Sequence, residues 1–143
     1  MLLRGAVAIL AGASTQVGIA APAVPDACKL VTVAEVEQVV GPLKGKPKPG
    51  GPGEASCEFT PVKGPAWIKI SLAEGDLAYW KRRNGGPKPV SAPEFGNDAF
   101  VNPDSEGSVE LFVKKGNLVM RISGPKGTTV DMIKAIAKKA MAH

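Results

Sequence analysis

Residues able to do chemistry are sparse in this chain. Over 143 residues there are two cysteines, Cys28 and Cys57, one histidine at the last position, His143, and thirteen carboxylates. Nucleophilic catalysis by serine or cysteine needs a positioned base, commonly histidine, and His143 sits at a chain end prone to fraying. A carboxylate-only hydrolase needs two acids at a set separation. Asp98, Asp104, Glu106 and Glu110 are the acids on offer, and spacing along the chain does not bring any two of them to it. There is no Cys-x-x-Cys and no second histidine, so neither a redox motif nor a zinc-ligand spacing is present.

Two further stretches imitate ligand loops. Asn102-Pro103-Asp104-Ser105-Glu106-Gly107 places oxygens at alternate positions ahead of a glycine, as an EF-hand loop begins. Pro103 is awkward there, and Val113 stands where the bidentate glutamate belongs, so a hairpin turn is the expectation. Gly124-Pro125-Lys126-Gly127-Thr128 is a glycine-rich turn ahead of a helix, a geometry that can hold an anion, but it lacks the Walker spacing. The expectation is therefore no catalytic residue, no metal and no cofactor.

What remains is recognition chemistry. Tyr79-Trp80-Lys81-Arg82-Arg83 sets an aromatic pair beside three cations, the residue types that anchor binding patches. The competing reading, which ordinary packing favours, sends Trp80 into the core and leaves the cations to complement a helix dipole. Lys44 to Gly53 alternates lysine with proline and glycine. It reads as a solvated, extended connector in preference to a cationic arm for an acidic partner.

These residues need elements to hold them. The N-terminus reads as a secretory signal peptide over 1–23: Arg4, a short apolar run from Gly5 to Ala13, then small residues up to an Ala21-Pro22-Ala23 cleavage box. The run falls short of the roughly 20 apolar residues a membrane span needs. Residues 24–143, about 120 in number, suffice for one domain with one core. In an oxidising compartment two cysteines pair, so a Cys28–Cys57 disulfide is expected. The charge balance, 18 Lys and Arg against 13 Asp and Glu, permits contact with anionic polymers. Nucleic acid is not an expected partner of an exported protein.

Thr32 and Glu35 have capping-box spacing ahead of a short helix. Val33, Val36 and Val40 fall on one side of it, and Gly41-Pro42 stops it. Cys57 and Phe59 alternate with polar neighbours. Trp67 to Leu72 does so again, with Ile68, Ile70 and Leu72 on one face and Trp67, Lys69 and Ser71 on the other. Glu74 to Asn84 is a second helical segment that puts Leu77 and Trp80 on one side, stopped by Gly85-Gly86. Pro87 to Pro93 is an extended connector, and Phe95 to Val101 a turn entering a strand. Ser108–Lys114 and Asn117–Ser123 form the clearest hairpin, turned at Lys115-Gly116. Thr128 and Asp131 have capping-box spacing for a last helix. Its apolar stripe runs Val130, Ile133, Ile136, Ala137, Ala140, Met141 and should cover the open face of the sheet. The fold class is α+β: an antiparallel sheet packed by an N-terminal, a middle and a C-terminal helix, with one disulfide.

Asp26-Ala27-Cys28-Lys29-Leu30-Val31-Thr32-Val33-Ala34-Glu35-Val36, then Gly41, resembles the opening of small exported bacterial domains of uncharacterised function, many of them lipoproteins. Ser56-Cys57-Glu58-Phe59 matches their second cysteine before an aromatic strand. Phe95-Gly96-Asn97-Asp98-Ala99-Phe100 keeps part of their Gly-x-Gly-Asp-x-Ala-aromatic turn. The resemblance implies a helix-flanked antiparallel sheet and a cell-envelope or extracellular setting. The residues before Cys28 lack a lipid-attachment pattern, and no catalytic residue carries over. The functional expectation is a non-enzymatic periplasmic or secreted binding or accessory protein. Its partner would be a protein, an anionic envelope polymer or a small molecule. The alternatives are a structural subunit of an envelope assembly and, less favoured, a carboxylate-dependent hydrolase.

Overall fold

A computed structural model describes residue 18 and residues 24–84 and 88–143. The cleavable leader expected over 1–23, Gly18 apart, and the Gly85-Gly86 helix stop therefore lie outside the described residues. Three α-helices are present among the described residues: α1 (Val33–Val40), α2 (Leu77–Asn84) and α3 (Val130–Met141). The strands are β1 (Lys48–Pro49), β2 (Ser56–Phe59), β3 (Ile68–Glu74), β4 (Val90–Ser91), β5 (Phe100–Ser105), β6 (Ser108–Lys115) and β7 (Leu118–Pro125). They form one seven-stranded sheet in the order β1-β2-β3-β7-β6-β5-β4, with every neighbouring pair antiparallel. The α+β architecture read from the sequence is the one observed.

The sheet follows from period-two patterning, since alternate side chains of a strand face opposite sides. Ile68, Ile70, Leu72, Leu111, Val113, Met120 and Ile122 all point to one face and are buried there. α3 lies across β6 and β7 on this face and leans against α1, burying Ile133, Ile136, Ala137 and Ala140. The short turn Ala27–Lys29 sits against β1, β2 and β3. There Cys28 is bonded to Cys57, with 5.0 Å between their Cα atoms. Cys57 is fully buried in β2. The bond thus fastens the segment leading into α1 to the sheet, which an eight-residue helix needs because helices that short do not persist alone.

Several local expectations shift by a residue or more. β3 runs on through Glu74, which pairs with Leu118. α2 therefore begins only at Leu77, after a corner at Gly75 (φ 114°), with the Asp76 carboxylate accepting from the Tyr79 N–H at 2.6 Å. The cap of α3 is Thr129, whose hydroxyl accepts from the Met132 N–H, not Thr128. The Thr128 side chain is buried against Gly124, where a Cβ would collide with it. β5 continues through Asn102-Pro103-Asp104-Ser105, so the expected turn contracts to Glu106-Gly107. Both of these residues have positive φ, as a two-residue hairpin turn matched to strand twist requires. In the next hairpin Lys115 is still strand and the turn is Gly116-Asn117. Val33 and Met141, assigned to apolar stripes, are exposed. Both extended connectors contribute two-residue edge strands, β1 and β4. Such short edges, one of them ending in proline, blunt edge-to-edge pairing.

The capping box is present as expected. Glu35 Oε2 accepts from the Thr32 N–H at 2.8 Å, and the Glu35 N–H donates to the Thr32 hydroxyl at 3.2 Å. His143 Nε2 approaches Glu35 Oε1 at 3.1 Å, so the residue that follows α3 meets the first turn of α1. These bonds, the Thr32 N–H first and then His143, hold the Glu35 carboxyl at about 2 against an ordinary value of 4.5. A depressed carboxylate stabilises the native state above its unfolded pKa. That contribution disappears as pH falls through the folded value. Acid titration of stability should accordingly steepen between pH 4.5 and 2, and Glu35→Gln should flatten that limb. Superimposable acid limbs for the two proteins would contradict this assignment.

Candidate functional site

The face of the sheet opposite α1 and α3 is built from the other half of each strand. Cross-strand pairing sets Lys48, Glu58, Lys69, Ser123, Glu110 and Asn102 side by side in one row. The next row is Ser56, Ser71, Arg121, Phe112 and Phe100. α2 covers only the β5–β6 end of this surface. Leu77 and Trp80 pack there on Phe100, Phe112 and Val119, forming a second, smaller core. Asn102 Nδ2 donates to the carbonyl of Asn84 at 2.8 Å and holds the end of the helix down.

Trp80 is fixed from several sides. Its ring stacks on Phe112 with centroids 6.1 Å apart, and Phe112 stacks in turn on Phe100 at 4.7 Å. Tyr79 meets it edge-on at 5.8 Å, a favoured aromatic geometry. The indole N–H donates to the carbonyl of Glu74 at 3.2 Å. Beside the ring lies a cleft of about 60 Å³, lined by Ser71, Ala73, Trp80, Phe112, Val119 and Arg121. A cleft this size admits the tip of a side chain or substituent, whereas whole small-molecule ligands usually occupy about 300–1,000 Å³.

Charge on this face is organised around two pairs. Arg121 Nη2 donates to Glu110 Oε1, and its guanidinium lies 5.8 Å from the Phe112 ring centroid. Glu110 is only 3% exposed, so the pairing answers a buried negative charge that would otherwise be costly. Lys69 Nζ sits 3.8 Å from Glu58 and 5.8 Å from the centroid of the Trp67 ring. Trp67, one step before β3, thereby joins the same face. The lysine-rich connector also runs along this edge. It is fastened by Lys44 N–H to Thr60 C=O at 2.7 Å and Gly50 N–H to Ser56 C=O at 2.8 Å.

The cluster Tyr79, Trp80, Lys81, Arg82 and Arg83 does not form one surface, because five consecutive helical residues point around the whole helix. Trp80 turns to the sheet and is half-buried, while Tyr79 is 43% exposed and accepts from Arg83 Nη1 at 3.3 Å. Lys81 Nζ reaches to 6.0 Å from the Phe100 ring. Arg82 lines an open groove with Asp76, Asn97, Asp98 and Lys114. Ser71, Phe112 and Arg121, which complete the cleft beside Trp80, were not candidates from sequence. The available signal was Phe112, a large apolar residue at a polar position of an otherwise alternating strand.

The carboxylates are dispersed. Asp98, Asp104 and Glu106 are exposed in turns or near a strand end, and Glu110 is buried in the sheet against Arg121. Asp104 Oδ1 accepts from the Gly107 N–H at 3.4 Å. Among the described residues no group of three or more His, Cys, Asp or Glu is placed to hold a metal ion. Nor does any described helix have the length and apolarity to cross a membrane. No family model matches the chain, and neither do curated proteins or solved structures.

Proposed function

We propose that this is an exported, non-enzymatic binding or accessory protein of the periplasm or extracellular space, working through the half of its sheet that α2 leaves uncovered. One observation carries the reading. One face of the sheet is closed by two helices and a disulfide, while the opposite face exposes a half-buried tryptophan beside a small cleft and a polar floor. Such a combination of a fixed aromatic with a few polar groups is what a recognition surface needs. The disulfide supports export, because such bonds persist in oxidising compartments, as do the leader-like first 23 residues and the resemblance to small exported bacterial domains. The carboxylate chemistry a hydrolase would require gains no support from an ion-paired Glu110 and exposed turn acids.

The test has two parts. Intact-mass analysis of protein made in its native host should find a chain beginning at Val24; full-length material confined to the cytoplasm would overturn export. Ala73→Arg, which places a long cation in the cleft, should reduce capture of the native partner at least tenfold while far-ultraviolet circular dichroism stays unchanged. Arg82→Ala with Arg83→Ala should leave capture intact. Equal capture of the same partner by Ala73→Arg would remove the cleft face from consideration.

A further inference from the structure

Resting on the reading of the uncovered face as the binding surface, we propose that its ligand is a carboxylate-bearing polysaccharide strand lying along β3 between Trp67 and Trp80. Trp67 opens the face and Trp80 walls its far end, beside Ser71 and Ala73. Four residues of extended chain separate Trp67 from Ser71, about 13 Å at strand rise, a span that suits a short run of sugar rings. Between the two indoles lie hydroxyls and charges on a rigid sheet: Ser56, Ser71, Glu58, Lys69 and Arg121. An indole offers an apolar plane for the C–H face of a sugar and keeps a polar edge. The intervening Ser, Lys and Arg groups supply donors for ring hydroxyls and carboxylates.

Charge selects the acidic class. Glu110 is buried and occupied by Arg121, and Glu58 lies between Lys48 and Lys69 in the same row; Glu54 and Glu74 are exposed beside Ser56 and Ala73, so the cationic end of the face is the one at Trp67. Lys44 and Lys46 are exposed on the adjoining connector, which is fastened to β2. The main chain that carries these lysines is held by the sheet and a pinned loop, so only side chains have to be ordered on binding, which favours an extended anionic partner. A charge-only surface would need no aromatics, and an aromatic-only surface would not gather lysines. Both occur on one face.

Titration calorimetry of the disulfide-bonded protein at 50 mM salt, with oligogalacturonate of about ten sugars as probe, tests the assignment. Neutral maltodextrin and poly-L-glutamate of similar length serve as controls. Oligogalacturonate should bind, weaken with added salt as surface ion pairs are screened, and bind at least tenfold tighter than either control. Trp67→Ala and Lys69→Gln should each lower affinity about tenfold, and Lys48→Gln threefold or more. No binding by the folded wild type, equal binding of poly-L-glutamate or of maltodextrin, or full affinity in both Trp67→Ala and Lys69→Gln would overturn the proposal. Should oligogalacturonate fail while Ala73→Arg still abolishes capture of the native partner, the acidic glycan is wrong and the face remains the binding surface.

Discussion

Cys28→Ala with Cys57→Ala is expected to lower the stability of this domain by about 3–4 kcal/mol, the chain-entropy value for closing a loop between residues 29 apart. For a domain of this size that corresponds to a fall of roughly 10–20 °C in Tm, and to a large share of the roughly 5–15 kcal/mol such domains possess. Each single substitution should match the double one within about 1 kcal/mol, because losing either sulfur removes the same crosslink. The effect has a structural location as well. Cys28 sits in the turn that delivers the chain to α1, and Cys57 is buried between β1 and β3. With the bond gone, amide exchange should rise first in residues 24–43 and only later in β6 and β7, whose pairing is the longest in the sheet. Denaturant unfolding of the oxidised protein and of the double variant decides the matter. A loss under 1 kcal/mol would show that packing of Val31 and Val36 holds α1 in place without the crosslink.

The second large effect is expected at the buried ion pair. Arg121→Leu keeps apolar bulk against Phe112 but leaves Glu110, 3% exposed, without its cation. Breaking a buried pair from one side costs about 3–5 kcal/mol. The Arg121 side chain as a whole is 41% exposed, so solvent screening moves the expectation to the low end, about 3 kcal/mol at neutral pH. Adding Glu110→Gln should recover most of that loss, since the amide replaces a charge that had become unpartnered. Urea unfolding of wild type, both single variants and the double variant gives the coupling directly. A purely additive double variant would mean that Glu110 draws its compensation from elsewhere in the row.

Much of the fold was legible because its signals are local. The Thr32–Glu35 box needs only residues three apart, and it formed as expected. Alternation in β3, β6 and β7 assigned the buried set correctly, down to Ile68, Ile70, Leu111, Val113, Met120 and Ile122. Boundaries were less secure where two local signals competed. Glu74 begins a segment with a helical charge order, yet a partner strand was available for it at Leu118, and the ladder hydrogen bonds won. Spacing to Asp131 points to Thr128 as the cap; the close fit of Thr128 against Gly124 leaves the role to Thr129.

The candidate site was legible only in fragments. Trp80 was singled out and the face shared by Trp67, Lys69 and Ser71 was read correctly, but nothing local joined them. Lys69 stands opposite Ser123, and Ser71 opposite Arg121, through pairing of β3 with a strand some fifty residues later. The cations of α2 are consecutive in the chain and are distributed around the helix in space.

By itself, then, the sequence determined the three helical segments, the longer strands, the Thr32 cap, the apolar faces of the strands, and the one pair of thiols able to join. All but the thiol pair, which follows from there being two cysteines, depend on hydrogen bonds and periodicities within a few residues. Only the tertiary structure decided the strand order, the side of the sheet on which α2 lies, and the meeting of Trp80 with Phe112 and of Arg121 with Glu110. Those outcomes rest on contacts between residues of different elements. Burial sets their free energy jointly across the whole sheet, and no window of neighbouring residues contains it.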